Sequence, residues 1–175
     1  GEYGTADHLE GAFTIGLGRK LAGMPWKPVL WAYYDWASGD EVIGNGYHHQ
    51  FPLGHRYLGF MDLFGRRNIQ DLNFLLTAKP KDRLTLTAWW HMFWLQDRDD
   101  VPYTVTMAPE VPTPGGSKEL GQEIDLVADW AISPRQNLLL GYSHFFSGDF
   151  YSTNPSPPVF DGDADFFYTQ YSLRF

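Results

Sequence analysis

Apolar and polar residues alternate with period two along most of this chain, and helical periodicity is nearly absent. The alternation predicts seven strands, at roughly 11–21, 28–38, 69–79, 83–95, 120–132, 137–147 and 165–175. Each is close to the ~9–11 residues that a tilted strand needs to cross a bilayer. The connections alternate in length. Residues 22–27, 80–82 and 133–136 are short and carry turn chemistry, whereas 39–68, 96–119 and 148–164 are long and rich in Gly, Pro and Asp. Loops that long count against a compact soluble domain. Short turns at one rim and long loops at the other are the pattern of an outer-membrane barrel.

A walk backwards from Phe175, placed on the periplasmic side, puts every short connection on that side and every long one outside. The expected fold class is therefore all-β, an antiparallel transmembrane β-barrel. An odd strand count is unusual for a single-chain bacterial barrel, and a barrel left open in lipid leaves unpaired edges. Residues 1–175 are accordingly expected to be one partial barrel domain, the C-terminal seven strands or so, with upstream strands missing. Gly1-Glu2-Tyr3-Gly4 has no features of a signal peptide, which agrees with a processed or partial chain.

Alternation also assigns faces. Leu72, Phe74, Leu76 and Ala78 are expected to face lipid, as are Leu84, Leu86, Ala88, Trp90, Met92 and Trp94. Ile124, Leu126, Ala128 and Trp130 join them, with Phe13, Ile15 and Leu17, and with Phe167, Thr169, Tyr171, Leu173 and Phe175. The opposite faces read as lumenal and carry Thr14, Asp71, Asn73, Trp89, His91, Glu123, Asp125 and Asp129, together with the bases Lys20, Arg83 and Arg174. Trp26, Trp36, Trp94 and Trp130 lie near strand ends, as interfacial girdles require. Strand 137–147 is apolar on both faces. An internal echo, Tyr33–Asp40 against Tyr142–Asp149, places Tyr142 and His144 in the lumen beside the equivalents Tyr33 and Asp35.

Composition agrees with this division. Aromatics make up 17% of the chain and charged residues 19%, yet mean hydropathy is −0.33, so the chain is aromatic-rich and still polar. The formal net charge of −8 argues against nucleic acid as a partner. The absence of cysteine excludes disulfides and thiolate metal sites.

The expected pore-lining and selectivity residues are Asp35, Arg66, Arg67, Asp71, His91, Glu123, Asp125, Asp129, His144 and Arg174. No catalytic or metal-binding residue is expected. His48, His49 and His55, beside Asp40 and Glu41, read as exposed loop polarity. No cofactor is expected either, although Asp161, Asp163 and Asp165 alternate at a spacing that suits a loop calcium. A barrel lipid hydrolase using His144 with Ser147 or Ser152, and a soluble carbohydrate-binding sandwich, are the competing readings.

Several runs carry a resemblance. Trp36-Ala37-Ser38-Gly39-Asp40, Phe51 to Gly59, Asp62 and Asn68 to Leu72 resemble the C-terminal half of the alginate export family. So do Leu120 to Asp125 and Gly141 to Gly148. The resemblance covers most of 28–175. It implies a monomeric outer-membrane barrel of about eighteen strands, embedded in outer-membrane lipid, that passes or exports an anionic, alginate-like polysaccharide or another polar solute. The family's lumen is strongly basic, whereas the lining read here mixes acids and bases.

Overall fold

The computed structural model describes residues 9–51, 55, 57–156 and 162–175, with the backbone of 2–3 and 6–7. Two short strands, β1 (Glu2–Tyr3) and β2 (Ala6–Asp7), pair with each other. The rest of the strand structure is one antiparallel meander of β3 (Ala12–Lys20), β4 (Val29–Ala37), β5 (Ile69–Lys81), β6 (Leu84–Trp94), β7 (Glu119–Ser133), β8 (Gln136–Ser147) and β9 (Ala164–Leu173). A single turn of helix, α1 (Asp149–Thr153), precedes β9. These seven strands are the seven expected, within three residues at each end. The sheet is not closed, and β3 and β9 form its two edges.

Because consecutive strands are neighbours, all short connections fall at one end of the sheet and all long ones at the other. Two-residue turns join β5 to β6 at Asp82-Arg83 and β7 to β8 at Pro134-Arg135. In an antiparallel pair, residues in register point to the same side, so the pairing defines two faces. On one, Leu30, Leu76, Ala88, Leu126, Tyr142 and Phe167 form a continuous cross-strand row. A second row runs Ala78, Leu86, Ala128, Leu140 and Thr169. This face is apolar and exposed, and Phe74, Trp90, Leu126, Leu140 and Phe167 are all open to the surroundings. The expected lipid-facing residues within β3, β5, β6, β7 and β9 all lie on it, and Phe175 falls beyond the end of β9. Aromatics occupy both ends: Phe13 stacks on Trp36 at the long-loop end, with ring centroids 5.5 Å apart, and Trp130 stands at the short-turn end.

The other face is polar towards the middle and is covered at the long-loop end. There Phe64, Ile69, Phe93, Leu95, Val101, Tyr103, Val111, Leu120, Phe145 and Phe150 form the core. This core is made by the three long connections folding against the strand ends. Phe64, from the 38–68 connection, packs between Phe93 and Phe145, at 4.9 and 5.9 Å. Asn68 ties the connections together: its side chain donates to the carbonyls of Asp97 and Val101 and accepts from the amide of Asp97. Thus the connection expected at 39–68 as a loop projecting outwards brings residues 57–64 back over the polar face instead. Apolar residues inside the loop (Leu58, Phe60, Phe64) leave water by packing on that wall.

Three residues lie on the face opposite to that expected. His144 is in register with Ile124, Tyr142 with Leu126, and both project from the apolar face. Their neighbours Ser143 and Phe145 point inwards, opposite Asp125 and Glu123, and both are fully buried. The echo assumed a common offset from Ser-Gly-Asp, but the two copies differ by one residue, and one residue reverses every side chain. Arg83, expected in the lumen, instead lines a pocket with Leu84, Trp130 and Leu138 on the apolar side. Its guanidinium donates to the carbonyl of Ile132.

Candidate constriction on the polar face

Register sets the polar face as surely as the apolar one. Thr14, Asp35, Asp71 and Phe93 form one cross-strand row, and Gly16, Tyr33, Asn73, His91, Glu123 and Phe145 form the next. A third carries Gly18, Trp31, Leu75, Trp89, Asp125 and Ser143. The two glycines of the edge strand have a steric reason. A Cβ at Gly16 would lie 2.3 Å from the Tyr33 ring, and one at Gly18 would lie 2.2 Å from Trp31. Bare backbone on β3 therefore lets both rings lie flat along the wall, stacked 5.3 Å apart with 11° between their planes.

The centre of the wall is a buried polar network. His91 Nδ1 stands 2.8 Å from Asp71 Oδ2, which also accepts from Asn73 Nδ2 at 2.7 Å. Trp89 Nε1 donates to Asn73 Oδ1 at 2.8 Å. On the other side of the imidazole, Nε2 faces Asp125 Oδ2 at 3.9 Å, too far for a direct hydrogen bond. Asp125 accepts the Ser143 hydroxyl proton. Asp71, His91, Glu123 and Asp125 are all fully buried. Burying charge is costly unless it is paired and hydrogen-bonded, and these side chains are held by one another and by the loop above.

That loop is pinned by Glu123. Its carboxylate accepts the Met61 amide at 2.9 Å. Gly59 packs against the same carboxylate with φ +87°, and a Cβ there would lie 2.4 Å from Glu123 Oε1. Phe60 follows, stacked on Tyr168 at 5.7 Å and edge-on to Trp89 at 6.5 Å. The loop thus reaches from β4 across the sheet to β9.

Beside the loop is an open cavity of about 410 Å³, lined by Thr14, Tyr33, Asp35, Tyr57, Arg66, Asn73, Leu75 and Trp89. The Arg66 guanidinium meets the Asp35 carboxylate at 2.5 Å and donates to Thr14 Oγ1 at 2.8 Å. This charge pair balances itself, and half of the remaining lining is aromatic: Tyr33, Tyr57 and Trp89. The cavity offers flat rings, one cation and one anion to whatever passes.

Of the ten expected pore residues, the structure brings six together here: Asp35 and Arg66 at the cavity, and Asp71, His91, Glu123 and Asp125 in the network beneath it. The last four point to the expected side but meet neighbouring side chains and the 38–68 loop rather than open water. Arg67 belongs to the loop core. It donates to the Tyr47 carbonyl at 2.8 Å and lies 4.9 Å from the centre of the Tyr103 ring. Asp129 and Arg174 share a separate polar pocket at the short-turn end with Arg135, Gln136 and Asn137. His144 is on the apolar face, 2.9 Å from Asp165, which also accepts the Tyr142 hydroxyl.

Outside the strands, burial raises two carboxyls. Asp100 lies above the usual range although it accepts the Tyr103 hydroxyl and the Val101 amide. Glu110, half-buried and hydrogen-bonded to Tyr151 of α1, is pushed up to about 7 by desolvation, only partly offset by that hydrogen bond. His55 pairs with Asp62 at 2.8 Å, and His48 meets Arg67. Of the three aspartates with calcium-like spacing, Asp163 accepts from Ser147, Asp165 binds His144 and Tyr142, and Asp161 lies outside the described residues.

Tyr57, Gly59, Phe60 and Met61 were not anticipated as part of this site. The available signal was aromatic density beside glycine in Tyr57-Leu58-Gly59-Phe60, unusual for a loop meant only to be solvated.

No curated protein matches the chain. The family model for alginate export matches it over residues 1–157, from the first strand through α1. The extent of that match and the seven-stranded antiparallel sheet agree with the residue runs that first carried the resemblance, and the chain belongs to the alginate export family.

Proposed function

We propose that this chain forms part of an outer-membrane β-barrel channel that passes a polysaccharide, and that the 38–68 loop with Arg66 and Asp35 forms its constriction. The observation that carries this reading is the division of the sheet. One face is apolar and exposed across its middle rows, as lipid contact needs, and the other is polar and narrowed by an inward-folded loop. The family's transport role gives the direction of inference. Further strands pairing with β3 and β9 would close the wall, since open edges are not stable in lipid.

At the constriction the cargo meets the rings of Tyr33, Tyr57 and Trp89 and the paired Arg66 and Asp35. Flat rings give a sugar face apolar contact, while the charged pair donates and accepts hydrogen bonds. This lining is close to neutral, so it suits a sparsely charged saccharide as well as a polyuronate. Transport needs no catalytic group, and His144 is bonded to an aspartate on the opposite face rather than to a serine.

The test is single-channel recording of the protein in planar bilayers with neutral and uronic oligosaccharides added to one side. Discrete conductance, interrupted by saccharide and changed in charge selectivity by R66A, is expected. Bilayers that stay silent, or conductance indifferent to every saccharide, would overturn the proposal.

A further inference from the structure

We infer that the apolar face carries a specific binding site for an anionic phospholipid of the leaflet at the short-turn end; the inference rests on the barrel reading above. The sheet is not a uniform apolar surface. A groove of about 1130 Å³ runs over the two central rows, floored by Ala78, Ala88, Leu126, Ala128 and Leu140. Small residues keep the floor low, and Tyr142 and Phe167 form one wall. The other wall is the β3–β4 turn, in which Met24, Pro25 and Trp26 fold against the sheet, held by the Lys79 amide donating to the Trp26 carbonyl at 2.9 Å.

The groove continues into a smaller pocket of about 340 Å³, with which it shares Ala128 and Leu140. That pocket adds Trp130 and Leu138, and at its rim Lys81 and Arg83. Lys81 is there because of an irregularity. Ala78 is in register with Leu86, but Lys81 with Leu84, so Lys79 and Pro80 form a bulge that turns Lys81 onto the apolar side. The result is an apolar channel ending in two cations at the level where headgroups lie. Lys27 adds a third positive charge in the wall turn, and Asp82, in the hairpin between Lys81 and Arg83, is the nearby acid. The balance is positive. Acyl chains fit the groove, a phosphate fits between Lys81 and Arg83, and a headgroup without its own cation is preferred.

The experiment is native mass spectrometry of the detergent-purified protein. It is titrated with phosphatidylglycerol and, in parallel, phosphatidylethanolamine of the same acyl chains. Phosphatidylglycerol is expected to be retained preferentially. K81E/R83E should weaken its retention roughly tenfold while leaving phosphatidylethanolamine unaffected. A128W, which fills the groove and keeps both cations, should also release it, separating a shaped site from plain charge attraction. Equal retention of the two lipids, or retention untouched by K81E/R83E, would show ordinary annular contact and overturn the inference. A detergent-dependent, β-rich protein with either of those results overturns this inference alone. A protein soluble without detergent overturns the barrel reading and this inference together.

Discussion

Gly59 shows how much depends on one missing side chain. Its φ of +87° disfavours any L-residue, and its Cα lies against the carboxylate that also accepts the Met61 amide. Gly59→Val is therefore expected to cost about 2–4 kcal/mol and to release the loop from the wall. Denaturant unfolding in detergent and a rise in channel conductance check the two effects separately. Phe64→Ala removes a buried ring from between Phe93 and Phe145 and should cost about 3–5 kcal/mol without touching the cavity. Glu110 supplies a pH dependence. Its folded carboxyl is raised from the ordinary 4.5 to about 7, so the folded loop favours the protonated acid. That stabilisation is fully present below pH 4.5 and is lost as pH rises through 7. Its upper size is about 3 kcal/mol at ~1.4 kcal/mol per pH unit. Hydrogen-exchange protection of residues 149–154 should fall across that window, and E110Q should flatten the dependence. A protection profile that rises with pH would refute the assignment.

At the scale of elements, the strands were legible because each has one face in an apolar and one in a polar environment, and period two records that directly. Strand β8 is the instructive exception. Leu138, Leu139, Leu140, Phe145 and Phe146 make both faces apolar, so alternation carries no sign. Phe145 faces inwards because the 38–68 loop supplies Phe64 to cover it. Only the neighbour's register shows this, and the echo with β4 misassigned His144 for that reason. The 39–68 connection departs further from its expected place. Its glycine and proline content marks it as a connection, but its destination depends on Glu123, some sixty positions further along the chain. Replacing 57–63 by a Gly-Ser segment should raise single-channel conductance severalfold and leave the seven strands intact by circular dichroism. Unchanged conductance would mean that the loop does not narrow the path.

For the whole molecule, charge is distributed by end as well as by face. Lys20, Lys27, Lys81, Arg83, Arg135 and Arg174 lie near the short turns, with Asp82 and Asp129 as the acids beside them. Most of the remaining acids lie towards the long connections, so the net −8 conceals a polarised molecule. In lipid this polarity should appear as depth. Trp90, in mid-strand on the apolar face, is expected to be quenched most by lipids brominated deep in the chain. Trp130, near the short turns, should respond to shallow bromines, and Trp89 on the polar face to neither. Equal quenching of Trp89 and Trp90 in single-tryptophan variants would contradict the assignment of faces.

By itself the sequence determined the strand positions, the alternation of short and long connections, the apolar sets of five strands and the family. All are local or repeated signals, set by the two-residue period of a strand and by turn chemistry. Tertiary structure alone decided that the longest loop turns inwards and that Asp71, His91, Glu123 and Asp125 are buried together. It also decided that Tyr142 and His144 face out and that a bulge carries Lys81 to the apolar face. Each of these depends on which distant residue a side chain meets, and alternation along one strand holds no information about that.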